Sequence, residues 1–407
     1  MDRRHLLGVA AALLGAGAAA RAAPQASATA TAVPLQAPSP MARLQGGTDG
    51  ALLGVSTASE LWQATAGGWQ RLGSGLDPAA PLASGHGRIV GRSAAGGLWV
   101  LEAGRVQTLR SPLLAPHAGM LVLAFGIIAV ASDAAGLHRV VRLDPTGSTW
   151  AESARSAAVV LPDARPLPFD PGGSSSDANG HVAVFGAPSA TRYRHGVLGD
   201  AVEPTALLWL ERHGLEPLAQ LELPPPFVFE DIAPRAIAWR GGRGLLTVRS
   251  GPAGGQLAVI ARARGAGLQL AALGDPIGTP NRWLAPSTDG RRLWAVHTPH
   301  LGGVLHRYAD AGERLSSQVI ARGMSNHAIG ERDLDVSAWV GTRWVVPTQD
   351  RQHVLVIDAD AAAEATTPAP VSLAGAVKAL VPWRRGPDDG VAALLHDGSV
   401  WWVGVAS

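Results

Sequence analysis

Eight times along this chain of 407 residues a glycine turn is followed at once by a short run of apolar, often β-branched residues. The turns lie at Gly50, Gly87, Gly119, Gly180, Gly242, Gly290, Gly341 and Gly390, and the runs include "ALLGVS", "GRIVGRS", "HVAVFGA", "GLLTVRS", "LWAVHTP", "RWVVPTQ" and "VAALLHD". Alternation or clustering over such short spans between turns is strand patterning, and helical periodicity is scarce. The gaps between turns are 37, 32, 61, 62, 48, 51 and 49 residues, the last three nearly constant. A repeat near 50 with three or four short strands is what one β-propeller blade requires, since four antiparallel strands and their turns take about 40 to 50 residues. The expected fold is all-β, a propeller of seven or eight blades with four antiparallel strands each. Eight turns favour eight blades, and the irregular gaps of 32 and 61 leave seven open. The last unit has room for only three strands before Ser407, so "AVPLQ" near the N-terminus is expected to supply the fourth and latch the ring. Closure would also remove exposed sheet edges.

Thirteen tryptophans against two tyrosines need an explanation within such a fold. Trp62, Trp99, Trp209, Trp294, Trp344 and Trp402 recur at similar places after the turns. Large aromatics fill the wedges between twisted blades, and inter-blade packing is the first expectation. A sugar-binding aromatic face is the alternative.

The N-terminus reads as an address. "MDRRHLLGVAAALLGAGAAARAAP" combines Arg3-Arg4, a diluted apolar run and small residues near Ala20 to Ala23, which is the pattern of a twin-arginine export signal. The apolar run, about 15 residues, is short for a bilayer span. Residues 1–23 are therefore expected to be removed on export, 24–40 to be a flexible Pro/Ala/Ser/Thr-rich leader, and 41–407 to form a single propeller domain, periplasmic or secreted and without a transmembrane segment. The absence of cysteine excludes disulfides, thiolate metal ligands and thiol nucleophiles. The formal charge of +2 is carried by the signal itself, through Arg3, Arg4 and Arg21 against Asp2, which leaves the mature chain close to neutral and argues against a nucleic-acid partner. A monomer is expected.

From about Thr191 to Val356 the chain resembles secreted bacterial FG-GAP or VCBS-repeat propellers, the integrin-α-like architecture. The resemblance rests on "RYRHGVLGDAVEP", "VFEDIAPRAIAW", "PNRWLAP", "TPHLGGVLHRY" and "SNHAIGERDLDVSAW". It implies calcium held by an Asp-x-Asp-Gly-Asp-Gly-like turn between the first two strands of a blade. The corresponding turns here read "AWRGGRGLL", "PSTDGRRLW" and "AWVGTRWVV", with one aspartate, Asp289, among arginines. Calcium needs six to eight oxygen ligands, and an arginine puts a cation where the ion should sit, so these sites are expected to be lost. No cofactor and no metal are expected. "LDPTGSTW", Leu143 to Trp150, is similar to a quinoprotein propeller repeat but occurs once.

In an up-and-down blade with strands a to d, the b–c turns and the connections between blades open on one face of the disc. That face collects His195, Asp200 and Glu203 from "TRYRHGVLGDAVEP", Glu230, Asp231 and Arg235 from "FEDIAPR", Arg282 from "TPNRW", His297 and His300 from "AVHTPH", and Asn326 and His327 from "SNHAIGERDLD". A local three-histidine metal site within "WAVHTPHLGGVLHRY" is not expected, because the stretch reads as strand, turn, strand, with His306 packed in the third strand. An inter-blade site using His297 and His300 stays open. His327, beside Glu331, Asp333 and Asp335, is expected to favour its protonated form. No Gly-x-Ser-x-Gly elbow, His-Glu-x-x-His helix or phosphate loop occurs, and the one lysine, Lys378, reads as a strand-edge residue. Non-catalytic binding of a glycan, peptide or envelope protein is the leading functional reading; the alternative is a hydrolase or lyase using the same His and carboxylate groups.

The arginine-bearing turns yield a first prediction. The melting temperature of the mature protein should be unchanged by millimolar calcium and by a chelator; a calcium-dependent rise of many degrees would contradict it, since a ligand of the native state must stabilise it.

Overall fold

The computed structural model describes residues 30–405 except 66, 172–180, 264, 266 and 362–368. The export signal, the start of the leader and the Gly180 turn lie outside the described residues. Eight antiparallel sheets form a propeller whose blades one to eight cover residues 41–74, 83–108, 121–159, 167–222, 228–273, 284–322, 338–372 and 377–404. The blade number is therefore eight. One expected turn was misplaced: Gly119 belongs to the connection entering blade three, whose own a–b turn falls between Leu121–Leu123 and Gly126–Ser132. Placing the turn there lengthens the preceding gap and shortens the following one.

The last blade is completed from the other end of the chain. Ala32–Leu35 pairs antiparallel with Val400–Gly404, in register from Ala32 opposite Val403 to Leu35 opposite Val400. This corrects the reading of 24–40 as leader throughout, because residues 32–35 are a strand. Ala32 packs on the core of blades seven and eight, and Leu35 on that of blades eight and one. Pro34, which has no N–H to offer a further strand, sits on the outer edge where its loss costs no ladder bond.

Tryptophans occupy the wedges between blades. Trp99 of blade two is fully buried and its Nε1 donates to Ser74 O of blade one at 2.8 Å. Trp344 of blade seven donates to Ser287 Oγ of blade six at 2.9 Å and meets Trp294 of blade six edge-on at 5.3 Å. Each such side chain removes about 150–250 Å² from water, on the order of 4–6 kcal/mol of apolar transfer energy. None of the thirteen is exposed.

The a strands face inward around a central channel of about 420 Å³. One mouth lies on the face carrying the b–c turns and inter-blade connections, here the upper face. Segment 323–337, joining blades six and seven, lies across it. Arg332 pairs with Asp163 at 3.0 Å and Asp200 at 2.9 Å, and Gly330 N donates to Val197 O at 2.9 Å. Asp333 meets Arg165 at 3.2 Å and Arg43 at 3.5 Å. Two glycines make this crossing feasible. A Cβ at Gly303, φ +28°, would fall 1.6 Å from Met324 O, and one at Gly199, φ +104°, 2.9 Å from the Arg332 guanidinium.

The latch generates a second prediction. A chain starting at Ala30 should melt like the mature protein, whereas one starting at Pro38 should melt at least ~10 °C lower or aggregate through the uncovered Val400–Gly404 edge. Equal melting of the two in a thermal scan would show that the latch is dispensable.

Candidate functional site

The upper face owes its buried centre to a break in one strand. Val228–Phe229 and Arg235–Trp239 both pair with Gly242–Gly251, and the chain bulges between them at residues 230–234. The bulge drives Glu230 and Asp231 into the interior, where both are fully buried. Burial alone would be costly, and each carboxyl is compensated. Glu230 Oε1 is 2.5 Å from His195 Nδ1, its Oε2 accepts from the Ser250 hydroxyl, and its backbone carbonyl accepts from Trp283 Nε1 at 2.9 Å. Burial pushes the Glu230 carboxyl up, while His195 and Ser250 hold it down. Asp231 binds Arg235 at 2.9 Å, the Thr247 hydroxyl at 2.9 Å and Ala233 N at 3.0 Å, which makes it the clamp of the bulge.

Glu203 opens the third strand of blade four and is 2% exposed. Burial first, then the charges of Glu230 and Asp200, push its carboxyl well above the usual range. Among the described residues nothing hydrogen-bonds to that carboxyl. Tyr193 stands beside the same charges: its hydroxyl accepts from Asn281 N at 2.9 Å, and burial together with Glu230 raises its pKa to about 12. Tyr193 also meets the His195 ring edge-on at 6.1 Å.

The histidines divide into two groups. His300 Nε2 lies 2.9 Å from His327 Nδ1, and His327 Nε2 donates to Glu331 O at 2.8 Å. His327 is fully buried against Trp283, with ring centres 4.8 Å apart. Burial lowers its pKa to about 3 and that of His300 to about 4. The expectation that carboxylates would favour protonated His327 is thus reversed, because desolvation outweighs the carboxylates, and Glu331 presents its backbone carbonyl. His297 turns away into blade six, where it bonds Tyr308 OH at 2.5 Å and stacks on His306 at 3.7 Å. His297 and His300 therefore do not converge, and among the described residues no three His or carboxylate groups are arranged to hold a metal ion.

The structure accordingly gathers His195, Glu203, Glu230, His300 and His327, and places the other predicted residues around them. Asp200 caps Val202 N and pairs with Arg332; Asn326 bonds Asp335 at 2.9 Å and Ala285 O at 3.3 Å; Arg282 donates to Asn281 O on the rim. Sequence reasoning passed over Tyr193, Ser250, Trp283 and Arg332. Each lies within a stretch already singled out, and Tyr193 is two residues before His195, the spacing that puts side chains on one side of an extended chain. In chemical terms the carboxylate stands between serine and histidine. A nucleophile relay needs the imidazole between serine and acid, so His195 cannot take the Ser250 proton directly.

No protein-family model matches the chain, and no curated protein matches it. Solved structures do. The chain is similar over 93% of its length to 98% of Sqt1 from Saccharomyces cerevisiae, with TM-score 0.59 and 10% identity. It is similar over 92% to 98% of the computationally designed Ika8 protein, with TM-score 0.55 and 12% identity. A third likeness is to BamB from Moraxella catarrhalis, with TM-score 0.54 and 14% identity, over 92% of this chain and 98% of that one. Identities this low establish the shared fold and nothing further.

Glu203 supplies a third prediction. A carboxyl raised by folding contributes stability below its unfolded pKa, near 4.5, and loses it as pH rises through the folded value. Glu203→Gln should therefore raise Tm by roughly 2–4 °C at pH 7.5, an advantage that shrinks towards zero at pH 4.5. Thermal scans at the two pH values check this, and a destabilised variant at pH 7.5 would show that the Glu203 charge is compensated.

Proposed function

We propose that this is an exported, non-catalytic binding propeller that docks a protein or peptide of the cell envelope on its upper face. The observation that carries this reading is the distribution of exposed apolar side chains. Leu113, Leu137, Leu301 and Ile329 are 57%, 43%, 62% and 71% exposed, and all four stand on upper-face loops. Exposed prolines Pro224, Pro225, Pro226, Pro252, Pro276 and Pro280 stand on other loops of the same face, those of blades four to six. Among the described residues the other exposed large apolar side chains, Val106, Leu218 and Val319, lie on outer strands. The four upper-face residues form two pairs, Leu113 with Leu137 at blades two and three and Leu301 with Ile329 at blades six and seven, and loops on a rigid scaffold are where recognition residues concentrate. A glycan is disfavoured because none of the tryptophans is exposed for stacking. The titratable cluster supports these loops, since Glu230, His195 and His327 are spent on one another and on backbone groups.

Export rests on the paired arginines and small-residue pattern of residues 1–23. Among the described residues no helix is long and apolar enough to cross a membrane. Kinship with the FG-GAP and VCBS propellers belongs to the same reading. In the turn nearest that pattern, Asp289 caps Arg291 and Arg292 backbone groups and pairs with the Arg292 side chain at 2.6 Å, so its carboxylate is already engaged. A second reading, a hydrolase or lyase, draws on one observation: Glu203 is a buried carboxyl whose raised pKa favours the protonated state that general acids use.

A photo-crosslinking amino acid placed singly at positions 301, 329, 106 and 319 in cells tests the binding reading. Positions 301 and 329 should give the same discrete adduct, that of 301 lost with Ile329→Asp and that of 329 lost with Leu301→Asp, while 106 and 319 give none. Adducts spread evenly over all four positions, or absent from 301 and 329, would overturn it.

A further inference from the structure

The chain contains a single lysine among its 34 basic residues, and it stands in the central channel. Lys378 lies in Val377–Pro382, the innermost strand of blade eight and one edge of its sheet, as expected of a strand-edge residue, and that edge faces the channel. Its Nζ donates to Ala42 O at 3.0 Å, and among the described residues it forms no ion pair. Around the same cavity stand Arg43 from blade one, Arg165 from the entry to blade four and Arg235 from blade five, with Asp333 and Asp335.

The pairing of these charges is incomplete. Arg235 is held by Asp231. Arg43 and Arg165 share one carboxylate, that of Asp333, and the Nε of each is buried without an acceptor. Asp335 is occupied by Asn326 at 2.9 Å and Ser337 at 2.5 Å. Arg351, Glu331, Asp333 and Lys378 together line a small adjoining void. With Asp231, Asp335 and Glu331 counted beside Asp333, the lining keeps one cation in excess, and locally Lys378 has no ion pair while Arg43 and Arg165 have one carboxylate between them, in a channel whose low-dielectric walls concentrate their field. A surplus of cations in a cavity of about 420 Å³ fits a molecule larger than a single inorganic ion.

We propose that the central channel binds a small organic polyanion, one carrying two or more carboxylate or phosphate groups. Arg43 and Arg165 hold one anionic group through planar, two-pronged donation, Lys378 holds a second as a point charge, and Asp333 and Asp335 accept from hydroxyls on the ligand. The site is separate from the exposed apolar side chains of the upper face and does not depend on what they bind.

Because Lys378 is the only lysine, amine acylation read by mass spectrometry reports on the channel directly, with the α-amino group as an internal reference. Millimolar citrate should slow acylation of Lys378 at least about fivefold and leave the α-amino group unaffected, while sodium chloride at equal ionic strength does neither. Inorganic phosphate forms a second arm: protection by phosphate at lower concentration than citrate assigns phosphate-bearing ligands, and the reverse order assigns carboxylates. Arg165→Gln should raise the half-protecting citrate concentration about tenfold, the equivalent of one charge-assisted bond, whereas Arg105→Gln on an outer strand should not. Should Arg165→Gln fail to fold, the citrate-induced rise in melting temperature of the wild-type protein, abolished in Lys378→Gln, serves the same purpose. Acylation at equal rates with and without either anion, or equal protection by sodium chloride, overturns the proposal.

Discussion

The structure depends on one closure, the pairing of Ala32–Leu35 with Val400–Gly404. Each blade by itself is a small twisted sheet with two open edges and two apolar faces, and only a neighbour on each side buries them. In a ring that requirement is met everywhere or nowhere, because one unfilled outer strand leaves the first and last blades joined less firmly than the rest. Closure also decides what faces what. It turns the a strands into the wall of a channel, sends every b–c turn and inter-blade connection to one face, and so brings residues from blades four, five and six into one cluster.

Segment 323–337 exploits that arrangement. It leaves blade six, crosses the upper mouth and is received by Asp163, Asp200, Arg165 and Arg43. Partly buried ion pairs add little net stability once desolvation is counted, so their use here is positional: they fix where the segment lies. His327, part of the segment, is buried against Trp283, and with burial comes the preference for the neutral imidazole. The exposed leucines of the upper-face loops and the charged lining of the channel lie on either side of this one crossing.

Much of the fold was legible in the sequence because its signals are local. Strand alternation, glycine turns and a unit near 50 residues follow from backbone sterics and side-chain period, and they named the propeller, the latch strand and the glycine turns other than Gly119 and Gly180. Gly119 misled for a physical reason: a glycine that admits close chain approach inside the channel looks the same in sequence as a glycine in an a–b turn. The membership of the upper face was legible too, since it follows from which turn a residue occupies. His195, Glu203, Glu230, His300 and His327 were found that way.

What the sequence could not decide was direction and distance within that face. His297 and His300 are three residues apart, yet one turns into blade six towards Tyr308 and the other out to His327 in a different connection. Ser250 and Glu230 are twenty residues apart and touch. Lys378 read as a strand-edge residue and is one, but only ring closure makes that edge the inner wall of a channel. The sequence by itself determined the elements, their order and the face on which each polar group would emerge, since those depend on backbone period and turn chemistry. The tertiary structure alone decided which groups meet, which charges are left unpaired and which way each pKa moves, because those depend on desolvation and on contacts between blades that the chain brings together only when the ring closes.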